Sequence, residues 1–294
     1  MERLFSAFPT PFLNGKIDYS SLEKLFASQI EGGIDGAVLS GSTGEGHSLT
    51  KEEWKELMQF GVKFKDDIKI VAGIGFNITA NAVEYAKMAE QIGVDYILAT
   101  TPYYNKPQQN GLYLHFKSIC DAVKAKIILY NVPSRTGTDL QNDTIVSLAK
   151  DFPQIVALKD ATGKLERVCD LNSKVAPIRN DFVMLSGEDA TQIGFNAMGG
   201  KGVISVVSNI APRLCKTIQN ACDGNDYNNA LAMQNDLYKL SKAMFCETNP
   251  TPVKYALYKL GIFTSGELRL PLIDISESSK RLVDAILEDC KKWI

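Results

Sequence analysis

A lysine at the end of a short apolar run is the residue of this chain best suited to covalent chemistry. The apolar run from Ile155 to Leu158 predicts a buried strand, Lys159 ends it, and a turn-forming Asp-Ala-Thr-Gly sequence follows. An ammonium group is costly in such a place unless it is paired, hydrated or deprotonated. A desolvated lysine loses its proton more easily, and its free amine can attack a carbonyl to form a Schiff base. A surface lysine that ends a strand is the alternative, so the rest of the chain must decide.

Other polar residues that could assist this chemistry also follow predicted strands. A Schiff-base lysine needs a phenol or hydroxyl to move protons while the carbinolamine forms and loses water, and Tyr130 offers one. The turn Gly41–Gly44 presents backbone N–H groups with the hydroxyls of Ser42 and Thr43, which suit a small carboxylate. Arg135 supplies a planar fork for a second carboxylate. Taken singly, Tyr130 fits equally well as a core tyrosine, whereas the Gly41–Gly44 turn and Arg135 fit better as an ordinary β–α turn and a surface arginine.

Eight short apolar segments alternate with helical patterns along the first three quarters of the chain. The predicted strands are Leu4–Phe8, Gly36–Ser40, Ile68–Ile74, Tyr96–Thr100, Lys126–Tyr130, Ile155–Leu158, Phe182–Ser186 and Gly202–Val206. This alternation predicts a parallel α/β sheet, and eight repeats fit a closed (β/α)8 TIM barrel. A doubly wound open sheet is the alternative, although no GxGxxG follows the first strand. Residues 1–224 are therefore predicted to form a catalytic barrel, and residues 225–294 a C-terminal three-helix appendage.

Capping signals refine the predicted helices. Ser20-Ser21-Leu22-Glu23 and Thr50-Lys51-Glu52-Glu53 are both read as capping boxes that start a helix. Asp189 is expected to cap the short helix that follows the seventh strand. In a TIM barrel the active site lies where the strands end, and the candidate residues converge there. They are Ser42, Thr43, Tyr104, Tyr130, Arg135, Lys159, Gly187 and Ile204.

Composition excludes several classes of partner. The formal net charge is −2, without a basic stripe or an acidic block, so neither nucleic acid nor an anionic membrane is expected as a partner. No apolar run approaches the roughly 20 residues of a membrane span. The amino terminus does not resemble a signal peptide, and the six scattered cysteines predict reduced thiols in a cytoplasmic protein. His47 and His115 are too isolated to predict a metal site, so no metal is expected.

The chain resembles the dihydrodipicolinate synthase family of the class I aldolase superfamily, which also contains N-acetylneuraminate lyase. At the superfamily level the resemblance rests on Gly41–Glu45 and on the strand that ends at Lys159. More specific matches are Thr101–Pro107, Tyr130–Gly137 and Asn249–Lys254. Arg135 is the best discriminator, because the corresponding turn of the sialic acid lyases lacks this arginine.

The resemblance implies a lyase that condenses pyruvate with L-aspartate 4-semialdehyde to give 4-hydroxy-tetrahydrodipicolinate, in lysine and diaminopimelate biosynthesis. Lys159 would form the Schiff base, and no cofactor would be needed beyond the covalent pyruvate imine. Tyr130, Thr43 and Tyr104 would form a proton relay. Tyr104 would reach the site across a dimer interface, within a homotetramer built from two dimers.

The resemblance also implies roles for the residues that bind substrate. The main chain around Ser42 and Thr43 would hold the pyruvate carboxylate, and Arg135 would bind the carboxylate of the aldehyde. The carbonyls of Gly187 and Ile204 would border the site. Two alternatives stay open: a related pyruvate-dependent aldolase acting on a sialic acid or a 2-keto-3-deoxy sugar acid, and a non-catalytic relative that binds a keto acid as a sensor.

Overall fold

A closed barrel of eight parallel strands forms the centre of the molecule. The computed structural model describes all 294 residues. Its strands are β1 (Leu4–Ala7), β2 (Phe12–Leu13), β3 (Lys16–Ile17), β4 (Gly36–Leu39), β5 (Lys69–Ile74), β6 (Tyr96–Thr100), β7 (Lys126–Asn131), β8 (Ile155–Asp160), β9 (Val183–Ser186) and β10 (Gly202–Ser205). The barrel runs in the order β1-β10-β9-β8-β7-β6-β5-β4, and β1 pairs with both β10 and β4. The predicted TIM barrel is confirmed, and the open sheet is wrong because the barrel has no free edge.

Thirteen α-helices surround and extend the barrel. They are α1 (Tyr19–Glu31), α2 (Lys51–Gly61), α3 (Thr79–Ile92), α4 (Gln109–Ala122), α5 (Pro133–Thr136), α6 (Asn142–Asp151), α7 (Leu165–Val175), α8 (Gln192–Ala197), α9 (Pro212–Asp223), α10 (Tyr227–Ala232), α11 (Gln234–Met244), α12 (Thr251–Lys259) and α13 (Glu277–Asp289). Of all these helices, not one has the length and apolar character needed to cross a membrane.

The barrel strands are buried along nearly their whole length, which explains their continuous apolar sequences. All four residues of β1, β4 and β10 are buried, because helices cover the outer face and side chains fill the interior. One contiguous hydrophobic core also includes Leu240 and Val253 of the C-terminal helices. The C-terminal helices number four rather than the predicted three, because Met233 separates α10 from α11. The division into a barrel and an appendage near residue 224 stays a prediction.

The two predicted capping boxes have different outcomes. At Thr50 the box is confirmed: its hydroxyl accepts a hydrogen bond from the Glu53 N–H at 3.2 Å, and the Glu53 carboxylate accepts one from the Thr50 N–H at 3.0 Å. The box at Ser20 is wrong, because α1 begins at Tyr19. The preceding Asp18 accepts hydrogen bonds from the backbone N–H groups of Ser20 and Ser21, and so it caps the helix.

A small hairpin was missed by the sequence analysis. Strands β2 and β3 pair antiparallel around Asn14 and Gly15, whose φ angles are 53° and 77°. An Asn-Gly pair between two short strands is a strong signal for a two-residue hairpin turn, since both positions need positive φ. This signal was present in the sequence. The hairpin matters for the site because Phe12 lies beneath two cations of the C-terminal segment.

Candidate active site

Lys159 lies inside a barrel strand and faces a tyrosine on the next one. Strand β8 continues through Lys159 to Asp160, two residues beyond the predicted apolar run, which ends at Leu158. Lys159 is in register with Tyr130 of β7, and its Nζ lies 4.4 Å from the centre of the Tyr130 ring. The two residues are only 7% and 6% exposed. The strand therefore fixes an amine and a phenol side by side at the carboxyl end of the barrel.

A cavity of about 430 Å³ opens above this pair. Among the residues that line it are six of the predicted site residues: Ser42, Thr43, Tyr130, Arg135, Lys159 and Gly187. The C-terminal segment contributes Ser241 and Lys242 of α11 and Phe245 and Asn249 of the loop that follows, none of which the sequence analysis placed at the site. No group of three or more histidine, cysteine, aspartate or glutamate side chains in the molecule could hold a metal ion.

Two predicted site residues do not line the cavity. Tyr104 is 86% exposed at the surface, with a φ angle of 72°, and its backbone N–H donates to the Thr136 carbonyl at 3.2 Å. Ile204 is fully buried within β10, in register with Phe5 of β1. Val206, two residues further along the chain, reaches the cavity instead. The side chain of Ile204 is therefore part of the barrel core.

The environment of Lys159 raises the fraction of the side chain that is a neutral amine. Burial lowers the pKa of the Lys159 ammonium to about 8, the nearby positive charge of Arg135 acts in the same direction, and the carboxylate of Asp189 opposes both. At pH 7 a lysine with this pKa is neutral in about one molecule in ten, roughly 300 times the neutral fraction of an ordinary lysine. The site therefore increases the fraction of the amine that is nucleophilic at neutral pH.

Asp189 is not the helix cap that its position predicted. One carboxylate oxygen accepts a hydrogen bond from the Ser205 hydroxyl, and the other accepts from the N–H groups of Val206 at 2.9 Å and Val207 at 3.2 Å. Burial raises the pKa of Asp189, while these donors and Lys159 lower it. The partners lie 16 to 18 residues further along the chain, so no local sequence pattern could reveal them.

The two hydroxyls of the Gly41–Gly44 turn have different partners. Burial raises the pKa of the Tyr130 phenol, whereas Arg135 and the Ser42 side chain lower it. The Thr43 hydroxyl accepts a hydrogen bond from Asn249 Nδ2 at 2.9 Å. Ser42 is thus the turn residue that affects the pKa of the phenol, and Thr43 is held by the C-terminal segment.

An ion pair that is completely buried anchors this turn. Glu45 has a left-handed backbone with φ 48°, and its carboxylate contacts Lys254 Nζ at 2.7 Å and the Arg269 N–H at 3.0 Å. The side chains of Glu45 and Lys254 are both 0% exposed. Burial lowers the pKa of Lys254 to about 8, opposed by Glu45. Lys254 also lies 4.3 Å from the ring centre of Phe12 in the hairpin. These contacts lock the turn to residues more than 200 positions away.

A second charged network pairs the carboxylate of Asp160, the residue next to Lys159, with an arginine. Asp160 is buried and pairs with Arg167 Nε at 3.1 Å, and Arg167 Nη1 reaches Asp139 at 3.1 Å. Asp139 in turn accepts a hydrogen bond from Asn131 Nδ2 at 2.7 Å. Burial raises the pKa of Asp160 and Arg167 opposes that change. The network ties the ends of β7 and β8 together and so keeps their side chains in register.

Comparison with known proteins identifies the family of this chain. The family model described as the dihydrodipicolinate synthetase family matches residues 1–290. The chain belongs to this family. A 4-hydroxy-tetrahydrodipicolinate synthase from Methylobacterium radiotolerans is 45% identical to it over 283 residues, which are 96% of this chain and 93% of the relative.

Solved structures of the dihydrodipicolinate synthetase family share the whole fold. A chloride-inhibited dihydrodipicolinate synthase from Acinetobacter baumannii, complexed with pyruvate, superposes with a TM-score of 0.94 at 39% identity and covers 100% of this chain and 99% of its own. A monomeric dihydrodipicolinate synthase variant superposes with a TM-score of 0.96 at 35% identity, covering 99% of this chain and 97% of its own. The barrel and the C-terminal helices thus occur together in this family.

Proposed function

We propose that this chain is the lyase that condenses pyruvate with L-aspartate 4-semialdehyde to give 4-hydroxy-tetrahydrodipicolinate, in lysine and diaminopimelate biosynthesis. Relatives that align along almost the whole chain carry the name of this synthase. The observation that carries the proposal is the buried amine of Lys159, which faces the Tyr130 phenol within one cavity. The reaction uses this amine as its covalent catalyst and needs no separate cofactor.

The proposed reaction begins when the neutral Lys159 amine attacks the keto carbon of pyruvate. The carbinolamine loses water to give an iminium ion, and loss of a methyl proton from that ion gives an enamine. The enamine carbon attacks the aldehyde carbon, whose oxygen takes up a proton and becomes the 4-hydroxyl group. The amino group of the former aldehyde then attacks the imine carbon, closes the ring and releases the Lys159 amine. One water molecule is released per turnover, at the imine-forming step.

We propose that Tyr130 carries the protons of these steps. The sequence resemblance assigned the hydroxyl of the relay to Thr43, but that hydroxyl is held by Asn249, whereas the Ser42 side chain lowers the pKa of the phenol. We therefore propose Ser42 as the relay hydroxyl and Thr43 as part of the site for the pyruvate carboxylate. Gly187 lines the cavity, and the roles of the Gly187 and Ile204 carbonyls stay predictions.

We also propose that two copies of the chain complete each other's sites, within a tetramer of two dimers. The support is the placement of Tyr104, whose side chain is almost fully exposed and does not line the catalytic cavity of its own chain. Its neighbour Tyr103 lines a second cavity of about 370 Å³ that shares Ser42 and Arg135 with the catalytic one. An exposed tyrosine beside the mouth of the site suits donation to a partner chain.

Two further proposals concern the cellular location of the chain and the role of its C-terminal segment. We propose a cytoplasmic location, which the six free cysteines support because paired thiols are the rule for small secreted domains. We propose that residues 225–294 act as an appendage of the barrel rather than as a separate folding unit. Four residues of that segment line the catalytic cavity, and its apolar side chains belong to the common core.

The direct test is a comparison of substrates. The purified chain should consume pyruvate only when L-aspartate 4-semialdehyde is present, and coupling to a dihydrodipicolinate reductase with NADPH should report the product. N-Acetylneuraminate and 2-keto-3-deoxygluconate should not be cleaved to pyruvate at a comparable rate. Cleavage of either sugar acid faster than the condensation would contradict the proposed function and favour the sugar-acid aldolase.

Replacing Arg135 with alanine should weaken use of the aldehyde while sparing imine formation. The guanidinium sits at the edge of the cavity and is held by the Asn249 carbonyl at 3.2 Å, so it is placed to receive a carboxylate. Loss of its charged hydrogen bonds should raise the KM for L-aspartate 4-semialdehyde about 10- to 100-fold. Borohydride trapping of pyruvate should proceed in this variant. An equal loss of trapping would mean that Arg135 belongs to the pyruvate site.

The pH dependence of imine formation should follow the Lys159 amine. Because burial lowers the pKa of Lys159 to about 8, the neutral fraction should rise with pH about tenfold per unit below 8 and level off above it. Quenched borohydride trapping of pyruvate across pH 6 to 10 measures this rate. In Asp189→Asn the opposing negative charge is gone, so the midpoint should move to lower pH. A midpoint near 10 in the wild type would mean that the amine is hydrated.

A further inference from the structure

Asn249 contacts both substrate-binding regions of the catalytic cavity. It lies between α11 and α12, is 5% exposed and lines the cavity. Its side-chain Nδ2 donates to the Thr43 hydroxyl at 2.9 Å, and its main-chain carbonyl accepts from Arg135 Nη2 at 3.2 Å. This residue therefore lies between the proposed site of the pyruvate carboxylate and the arginine proposed to hold the second substrate.

The remaining polar atom of Asn249 is unpaired. Its Oδ1 is buried and has no hydrogen-bond partner within the chain. Buried side-chain acceptors are nearly always paired, because an unmade hydrogen bond costs stability. An unpaired acceptor on a residue that lines a substrate cavity is a candidate partner for a donor that the substrate carries. The Nδ2–Thr43 bond sets the orientation of the amide and leaves Oδ1 available.

The second substrate of the proposed reaction supplies such a donor. L-Aspartate 4-semialdehyde carries an α-ammonium group on the carbon that bears its carboxylate. With the carboxylate on Arg135, the ammonium on the same carbon can lie close to Asn249, because the guanidinium is hydrogen-bonded to the Asn249 main chain. Three N–H groups then need acceptors in a cavity that also contains the cation Lys242.

The other acceptors of the cavity are less suited to this role. The carboxylate of Asp189 already accepts hydrogen bonds from the Ser205 hydroxyl and from two backbone N–H groups. Glu188 lines the cavity but is exposed, so water competes for its carboxylate. Asn249 Oδ1 combines burial, a fixed position next to Arg135 and an unused lone pair.

We propose that Asn249 is a specificity-determining residue, whose Oδ1 accepts a hydrogen bond from the α-ammonium of the second substrate. This inference rests on the proposed function and deepens it. Arg135 and Asn249 together then recognise the α-amino acid part of the substrate. The guanidinium of Arg135 binds the carboxylate, and the amide oxygen of Asn249 binds the ammonium. An aldehyde that lacks the amino group leaves Oδ1 unpaired and is disfavoured for that reason.

The test compares L-aspartate 4-semialdehyde with succinic semialdehyde, which lacks the α-amino group. Both aldehydes add to the same pyruvate enamine, so pyruvate consumption is a common measure of kcat/KM at saturating pyruvate. The quantity of interest is the ratio of the two kcat/KM values. Any effect of Asn249 on the Thr43 hydroxyl applies to both aldehydes and cancels in this ratio.

The wild type should prefer the amino aldehyde, and Asn249→Ala should lower the ratio about 10- to 100-fold. Asn249→Asp keeps an acceptor in place and should retain the preference. Glu188→Gln is the matched control, because Glu188 is another side chain of the cavity that could bind an ammonium. This variant should leave the ratio of the two kcat/KM values unchanged. Borohydride trapping of pyruvate on Lys159 verifies that each variant is folded, and Asn249→Ser replaces the alanine variant if that one does not trap.

Three results would overturn the proposal. They are a wild type with equal kcat/KM for both aldehydes, an unchanged ratio in Asn249→Ala or Asn249→Ser, and a ratio that falls in Glu188→Gln by as much as in the Asn249 variants. In each case the condensation itself continues, so the proposed function survives. If the wild type consumed no pyruvate with either aldehyde, the proposed function would fall and the role of Asn249 with it.

Discussion

Lys159→Ala is expected to lose the condensation almost completely, by about 10⁴-fold or more in kcat. The side chain supplies the only amine that combines burial in the cavity with contact to the Tyr130 ring, and the covalent route has no substitute for it. Treatment of the wild type with pyruvate and borohydride should add the mass of one reduced pyruvate per chain. Peptide mapping should place this mass on Lys159, and the adduct should be absent from the alanine variant.

Lys254→Met is the matched control for this experiment. Lys254 is equally buried and its pKa is also lowered to about 8, yet its Nζ is bound to Glu45 and does not line the cavity. The folded fraction of this variant should still trap pyruvate on Lys159. If trapping persisted in Lys159→Ala, or mapped to Lys254, the assignment of the nucleophile would be wrong.

Tyr130→Phe is expected to lower kcat by about 10²- to 10⁴-fold, the usual contribution of a positioned proton-transfer group. The change removes only the phenol oxygen and keeps the ring that packs against Lys159, so the barrel should fold normally. The rate of borohydride trapping should fall with kcat, because imine formation itself needs proton transfers. Single-turnover trapping and steady-state assays measure the two quantities separately.

Ser42→Ala tests the next group in the proposed relay. We expect a smaller fall in kcat than in Tyr130→Phe, since Ser42 acts through the phenol rather than on the substrate. A fall confined to Thr43→Val, with Ser42→Ala fully active, would restore the assignment that the sequence resemblance implied. Undiminished activity in Tyr130→Phe would remove the phenol from the mechanism altogether.

The parts of the fold that were predicted correctly depend on local sequence. Each barrel strand is buried on both faces, so its apolar run is visible without knowledge of its neighbours. Lys159 also stands out in the local sequence, because a lysine at the end of an apolar run interrupts the apolar pattern. The barrel order then follows from the number of repeats and from the right-handed crossovers that parallel strands require. The β2–β3 hairpin had an equally local signal in Asn14 and Gly15, and its omission was avoidable.

The parts that were missed depend on contacts between distant segments. Asp189 resembles a helix cap in the sequence, yet its partners belong to the end of β10. Asn249 is 206 residues from Thr43, and Lys254 is 209 residues from Glu45. No periodicity or spacing can predict such pairs, because the closed barrel brings together groups whose separation along the chain is arbitrary. The sequence motif Asn249–Lys254 indicated family resemblance without indicating which side chains it would meet.

The buried pair of Glu45 and Lys254 has a consequence for how this enzyme can be redesigned. A chimera that takes its last fifty residues from a relative inherits a new partner for Glu45, and any mismatch leaves one charge alone in a dry interior, at a cost of about 3–5 kcal/mol. Viable hybrids must therefore exchange the Gly41–Gly46 turn and the carboxyl-terminal helices as one block. The turn after β4 and the carboxyl-terminal helices must therefore be inherited together, although six of the eight barrel strands lie between them.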